Sequence, residues 1–425
     1  MTATEIPVTL LSGSLGAGKT STLNHLLENA GDRRIAVLVN DMGDINVDAE
    51  LLSAGTDVAD DGGIAELSNG CICCERQDDL ETEVARLADE REFDYLVVEA
   101  SGISEPEPVA RLFTTASRAA AVYDLDTLVT VVDATQFLET FGDRETLERE
   151  TAPGSEGRPL SDLLVEQIET ANVLLLNKCD LVDDEERELA EELLSTLNPG
   201  AKLVRSVHGR VDPGEILGTG LFDHDDLGET GGAPTFEIDH EHHPHDHHEH
   251  NHHEHDHHEH DHHEHDHATP ERTYGITSIS YRCRRPFHPE RLWEFVTDLP
   301  RAVVRSKGLC WIAGRDDVAV SYSQAGPTVR FEAVGPWIAG LPEIEQELYR
   351  DGNPDLPWDD EHGDRRTELV FIGRDVDDAG IPERLDDCLV TDDEWDTTEW
   401  ETEEVPETAA GYPVETGESV EIDRR

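Results

Sequence analysis

The sequence predicts an α/β protein in which a mostly parallel sheet flanked by helices is followed by a smaller α+β domain. Three observations carry this. Short apolar runs alternate with helical patterns from residue 6 to about 225, the rhythm of strands joined by crossover helices. A histidine-rich tract between 240 and 267 then breaks the pattern. Beyond it a second series of strand-like runs resumes, with fewer helices between them. At 425 residues the chain is too long for one ordinary core and fits two or three domains.

In the first domain, assigned to residues 1–225, strands are expected at 8–12, 35–40, 95–99, 127–133, 173–177 and 203–207. Their Val and Leu residues occupy both faces, as in strands covered on each side by helices. Helical spacing marks 19–29, 80–89 and 184–197. Residues 226–272 hold seventeen of the 22 histidines in a loose His-His-Glu-His-Asp repeat. With almost nothing apolar to bury, that stretch is expected to be a disordered linker. Residues 273–390 should form the second domain, one antiparallel sheet with helices on one face. Its strands are expected at 274–282, 308–313, 318–322, 328–333 and 368–372, with helices near 289–299 and 343–350. Residues 391–425 read as an acidic tail, mobile over its last twenty residues.

Composition narrows the function. Lys and Arg total 33 against 96 Asp and Glu, a formal net charge of −63. Such a chain repels phosphate backbones and anionic lipid, which excludes general nucleic-acid and membrane-surface binding. Only four lysines occur, Lys19, Lys178, Lys202 and Lys307. A carboxylate-rich, lysine-poor surface resembles those of proteins from salt-accumulating archaea, where a screening length of roughly 3 Å removes the self-repulsion. The charge therefore reads as habitat. Seven cysteines in a chain this long, three of them within four residues, do not make a disulfide framework. The first residues lack the features of a secretory signal and no apolar run reaches the length of a membrane span, so a cytoplasmic location is expected.

Four motifs carry chemistry. Gly13-Ser14-Leu15-Gly16-Ala17-Gly18-Lys19-Thr20 fits the phosphate-loop pattern and sits where it must, after a strand and opening a helix. Backbone N–H groups from Gly13 to Ser21 would converge on phosphate oxygens at a helix N-terminus. Lys19 would reach the β- and γ-phosphates, and the Thr20 hydroxyl would sit on Mg²⁺. Asn177-Lys178-Cys179-Asp180 ends another strand and resembles the base-recognition motif of GTP-binding proteins. The Asp180 carboxylate would accept two N–H bonds from guanine that adenine cannot offer. After the strand at 95–99, Glu99 is placed for the Mg²⁺ shell and Gly102 for an N–H bond to the γ-phosphate that is lost when that group leaves. Cys71, Cys73 and Cys74 form a C-x-C-C cluster of soft thiolate ligands suited to Zn²⁺ or similar ions, and a carboxylate donor is available at Asp41 or Asp44. A redox pair and ordinary buried thiols are the competing readings of that cluster.

Taken together, the chain resembles the CobW family of metal-handling P-loop GTPases. The likeness rests on residues 12–20, Val39-Asn40-Asp41-Met42-Gly43-Asp44, Gly70-Cys71-Ile72-Cys73-Cys74, Glu99-Ala100-Ser101-Gly102-Ile103-Ser104-Glu105-Pro106 and 177–180. Residues 285–292 and Arg305-Ser306-Lys307-Gly308 resemble the family's C-terminal domain. The resemblance implies a P-loop GTPase domain, Mg²⁺-dependent GTP hydrolysis that is intrinsically slow, and delivery of a transition metal, Zn²⁺ or else Co²⁺, Ni²⁺ or Fe²⁺, to a client metalloprotein. The family's usual Asn-Glu-Phe-Gly-Glu is altered here at Asp41, Met42 and Asp44. The histidine tract adds weak imidazole sites of its own, in keeping with a reservoir or capture arm. Two alternatives stand beside this reading. One is a metal buffer with a vestigial nucleotide site, the other an accessory NTPase of cobalamin biosynthesis.

Overall fold

The computed structural model describes residues 5–39 apart from 32, residues 64–66, 84, 87 and 88, residues 93–223 apart from 115–116, 143–150 and 153–157, and residues 274–424 apart from 354–355, 377–379, 398–411 and 414–415. Asp41, Asp44, Cys71, Cys73, Cys74 and the histidine tract lie outside the described residues.

Among the described residues the first domain forms a seven-stranded parallel sheet in the order β3-β2-β4-β1-β5-β6-β7. Its strands are β1 (Ile6–Ser12), β2 (Ile35–Val39), β3 (Ile64–Glu66), β4 (Tyr95–Glu99), β5 (Tyr123–Asp133), β6 (Val173–Asn177) and β7 (Lys202–Arg205). The crossover helices are α1 (Lys19–Glu28), α2 (Pro106–Thr114), α3 (Ala134–Phe141), α4 (Leu160–Glu169) and α5 (Asp184–Leu197). Alternate strand residues enter different cores. Val8, Leu10, Leu96 and Val98 pack on one face, and Leu11, Val97, Val129 and Val131 on the other. α5 opens with a reciprocal cap in which the Asp183 side chain accepts from Glu186 N and Glu186 accepts from Asp183 N. Where this domain ends, the Asp126 carboxylate accepts N–H bonds from Gly218, Thr219 and Gly220 and the Tyr95 hydroxyl bond, fastening the exit segment to the sheet.

Among the described residues the second domain forms a six-stranded antiparallel sheet in the order β13-β11-β10-β9-β12-β8. The strands are β8 (Ile276–Cys283), β9 (Val303–Cys310), β10 (Val318–Ala325), β11 (Thr328–Pro336), β12 (Thr367–Arg374) and β13 (Ser419–Asp423). Helices α6 (Pro289–Thr297) and α8 (Ile381–Asp386) lay Leu292, Phe295, Ile381 and Leu385 against one face of the sheet. His288 caps α6 by accepting from Glu290 N, the structural role of a turn residue. Ile276, Ala325 and Ile372 join the core made by α4 and α5 of the first domain. The helices α7 (Glu343–Gly352) and α9 (Asp392–Thr397) complete the domain.

Two expectations are corrected. β9 begins at Val303 rather than 308, because Gly308 is an interior strand position where a Cβ would stand 1.9 Å from Glu368 O on β12. The stretch from 391 is not simply an acidic tail. Within it Tyr412 is buried and its hydroxyl donates to Pro289 O, and β13 pairs with β11. Arg424 follows with its guanidinium donating to Leu299 O, Pro300 O, Val303 O and Gly326 O, and burial pushes that group down to about 10. Acidic composition hid a strand whose Ile422 packs on the domain core and which leads directly into the buried Arg424.

Arg424→Met should therefore destabilise the second domain by about 2–4 kcal/mol, since several buried carbonyls would lose their donor. Denaturant unfolding checks this; a mobile tail would show no change.

Candidate nucleotide site

β1 lies between β4 and β5, so the loop leaving it emerges at the centre of the sheet's C-terminal edge. The loop needs its glycines for backbone shape. Gly13 has φ +136°, and a Cβ there would meet Val131 O at 2.3 Å. Gly18 has φ +108°, and its Cβ would meet Asn177 Nδ2 at the same distance. Gly16 stands open at the mouth, and Ala17 N closes the turn by donating to Ser14 O at 3.1 Å. The Ser14 hydroxyl donates to Gln136 Oε1 on α3. Lys19 is buried, and its ammonium donates to Gly13 O at 2.8 Å and Ser14 O at 3.1 Å, spanning the loop from inside.

Opposite the loop, Thr20 Oγ1 donates to Glu99 Oε1 at 3.1 Å, and Glu99 is only 4% exposed. Gly102 presses on the loop so closely that a Cβ would fall 2.7 Å from Leu15 N and 3.0 Å from Lys19 Nζ. Residues 15–16, 18–21 and 99–102, together with Val39, line a cleft of about 370 Å³, and Ser21 lies on its wall. A hydroxyl facing a carboxylate is a pair of hard oxygen donors, which fits Mg²⁺. The cleft thus brings together the sequence-assigned Gly16, Gly18, Lys19, Thr20 and Ser21 with Glu99 and Gly102, while Gly13, Ser14 and Ala17 belong to the same loop without lining it.

The base-side motif is joined to this cleft by one amide. Asn177 Nδ2 donates to Ala17 O at 2.9 Å, and Asn177 Oδ1 accepts from Gly209 N at 3.0 Å. Lys178 takes φ +59° and its ammonium donates to Asp133 Oδ2 at 2.6 Å. Asp133 also caps α3 by accepting from Thr135 N and Gln136 N. Asp180 is exposed at the turn that follows. Sequence reasoning missed the turn around Gly209, which lies against α1, its Cβ position 2.5 Å from Thr22 N. Cys179 N donates to Ser206 O, so this turn shares a wall with residues 177–180. Its signal was a single glycine after β7.

Among the described residues no group of three or more His, Cys, Asp or Glu side chains is placed to hold a metal. No helix among them is long and apolar enough to cross a membrane.

Gly102→Ala should slow single-turnover GTP cleavage about tenfold to hundredfold, because the new methyl would push into Leu15 and the Lys19 ammonium across the cleft. An unchanged rate in the folded variant would contradict that placement.

Comparison with known proteins agrees with the geometry. Residues 7–205 match the family described as CobW/HypB/UreG, nucleotide-binding domain, and residues 276–389 match the cobalamin synthesis protein CobW C-terminal domain. The chain is 37% identical over 417 residues to the zinc-regulated GTPase metalloprotein activator 1 of Dictyostelium discoideum, covering 92% of this chain and 81% of that protein. It is 31% identical over 245 residues to the zinc chaperone CobW of Sinorhizobium sp, covering 56% and 68%. Among solved structures, the zinc-bound YjiA GTPase of E. coli aligns at 22% identity and a TM-score of 0.37, covering 91% of this chain and all of that one. With the phosphate loop, the Thr20–Glu99 pair and the Asn177 tie assembled at one sheet edge, the chain belongs to the CobW/HypB/UreG family and is a GTPase.

Proposed function

We propose that this GTPase is a metallochaperone that holds zinc at Cys71, Cys73 and Cys74 and uses GTP hydrolysis to pass it to a client metalloprotein in the cytoplasm. The observation that carries the reading is a register. Val39, which lines the phosphate cleft, pairs with Glu66 of β3 on one side and Glu99 of β4 on the other. Cys71 follows Glu66 by five residues, a reach of about 17 Å at most. The segment carrying Asp41 and Asp44 leaves directly from Val39. Both metal-ligand segments are therefore tethered at the edge where the γ-phosphate would lie. The names of the zinc-handling relatives support the same assignment.

In this mechanism Asp180 and Lys178 select guanine, and the N–H groups from Gly13 to Ser21 cradle the phosphates. Thr20 and Glu99 would hold Mg²⁺, which would supply charge neutralisation at the phosphates. Lys19 turns from the loop carbonyls to the β- and γ-phosphates, and Gly102 N–H meets the γ-phosphate. Departure of that group frees the segments at 40–44 and 101–106, and the thiolate geometry changes with them. Co²⁺, Ni²⁺ and Fe²⁺ suit the same donors. The imidazoles of the 240–267 tract serve as a weak capture arm. A buffer with a vestigial nucleotide site is disfavoured by the intact Thr20–Glu99 and Asn177–Ala17 contacts.

Zinc affinity measured by chelator competition should differ about tenfold between the GTP- and GDP-bound forms, and Cys73→Ser should abolish the difference. Equal affinities with GTP, GDP and no nucleotide would end the coupling. Asp180→Asn should weaken GTP binding by about tenfold or more with little effect on ATP, read by competition titration.

A further inference from the structure

Helix α4 and the residue just ahead of it touch the turn at 101–105 with one set of side chains and the second domain with another. Toward the loop, Gln167 is fully buried and its Nε2 donates to Ser104 O at 3.2 Å. Arg158, just ahead of the helix, pairs with Glu105 at 3.0 Å and with Glu166. Residue 104 in turn closes on Ser101 O through both its N–H and its hydroxyl, so Gly102 is enclosed in a turn whose far end α4 holds. Gln167 O also accepts from the Thr130 hydroxyl on β5, which keeps this part of the helix on the sheet.

Toward the second domain, the Glu169 carboxylate accepts from Arg305 Nε at 3.0 Å and lies 3.1 Å from Lys307 Nζ, both on β9. Burial pushes this carboxyl up, but the two cations hold it below the usual range. The Ser161 hydroxyl donates to Ala325 O on β10, and Asp162 faces Arg330 of β11 at 3.6 Å. A largely buried carboxylate leaves its cations only at a large desolvation penalty, so helix and sheet move together.

We propose that α4 is a positioning element for GTP hydrolysis, with Gln167 and Arg158 setting the loop that carries Gly102 and the second domain's sheet holding the helix in place through Glu169. The inference rests on Gly102 facing the terminal phosphate. It makes the second domain part of the hydrolytic machinery: whatever shifts that sheet against α4 alters turnover without touching nucleotide.

The test measures GTP turnover and GDP affinity in the full-length protein. Gln167→Leu should lower kcat about tenfold while KM for GTP and GDP affinity stay within about twofold. Lys307→Met leaves Arg305 paired with Glu169 and should lower kcat about two- to fivefold, from a position that lines none of the cleft. A merely structural role would shift the unfolding midpoint and spare kcat. Wild-type turnover in both variants beside a slow Gly102→Ala overturns the proposal. Wild-type turnover in Lys307→Met alone overturns the sheet's part in it. Wild-type turnover in Gly102→Ala as well means that the underlying placement of the phosphate has failed.

Discussion

The Glu169 carboxylate, clasped by Arg305 and Lys307, is the interaction on which the two-domain arrangement depends. It joins the last turn of α4 to the middle of β9, and apolar residues from both domains share one core alongside these elements. The neighbouring positions on β9 are equally constrained. The Ser306 hydroxyl bonds Tyr322 and Gln324, and Gly308 admits the backbone of β12 at a distance that no Cβ would allow. Arg305-Ser306-Lys307-Gly308 is thus a structural sentence: two cations for the partner domain, a buried polar node, and a gap for the adjacent strand.

The nucleotide cleft is preorganised by main-chain shape more than by charge. Asn177 uses both ends of its amide, one on Ala17 O and one on Gly209 N, so the phosphate loop and the base-side turn hold one spacing. Asp133 performs a similar double task, capping α3 and drawing in Lys178. Donors already fixed before ligand arrives lose little entropy on binding, which is what a phosphate cradle requires. Glu99 and Val39 pair at the same edge, so the chain enters the cleft wall from two adjacent strand ends.

Much of this was legible in one dimension. The phosphate loop announces itself because its glycines, Lys19 and Thr20 sit at fixed spacing between an apolar strand and a helix. The strand at 173–177 and the helix at 184–197 were readable to the residue, since apolar run, cap and helical spacing coincide there. The Gly209 turn and β13 were not legible. One offers a lone glycine, and the other lies in a stretch whose acidic composition outweighs its short alternation of Val420, Ile422 and Arg424.

By itself, then, the sequence determined the parallel nucleotide-binding domain, most of the residues that line the cleft after β1 and the excess of carboxylates, because each is written in local spacing or composition. Only the tertiary structure decided that Gln167 holds Ser104, that Glu169 belongs with Arg305 and Lys307, and that Arg424 closes the second sheet. These are pairings between residues tens to hundreds of positions apart. Burial, which no local pattern encodes, is what makes each of them obligatory.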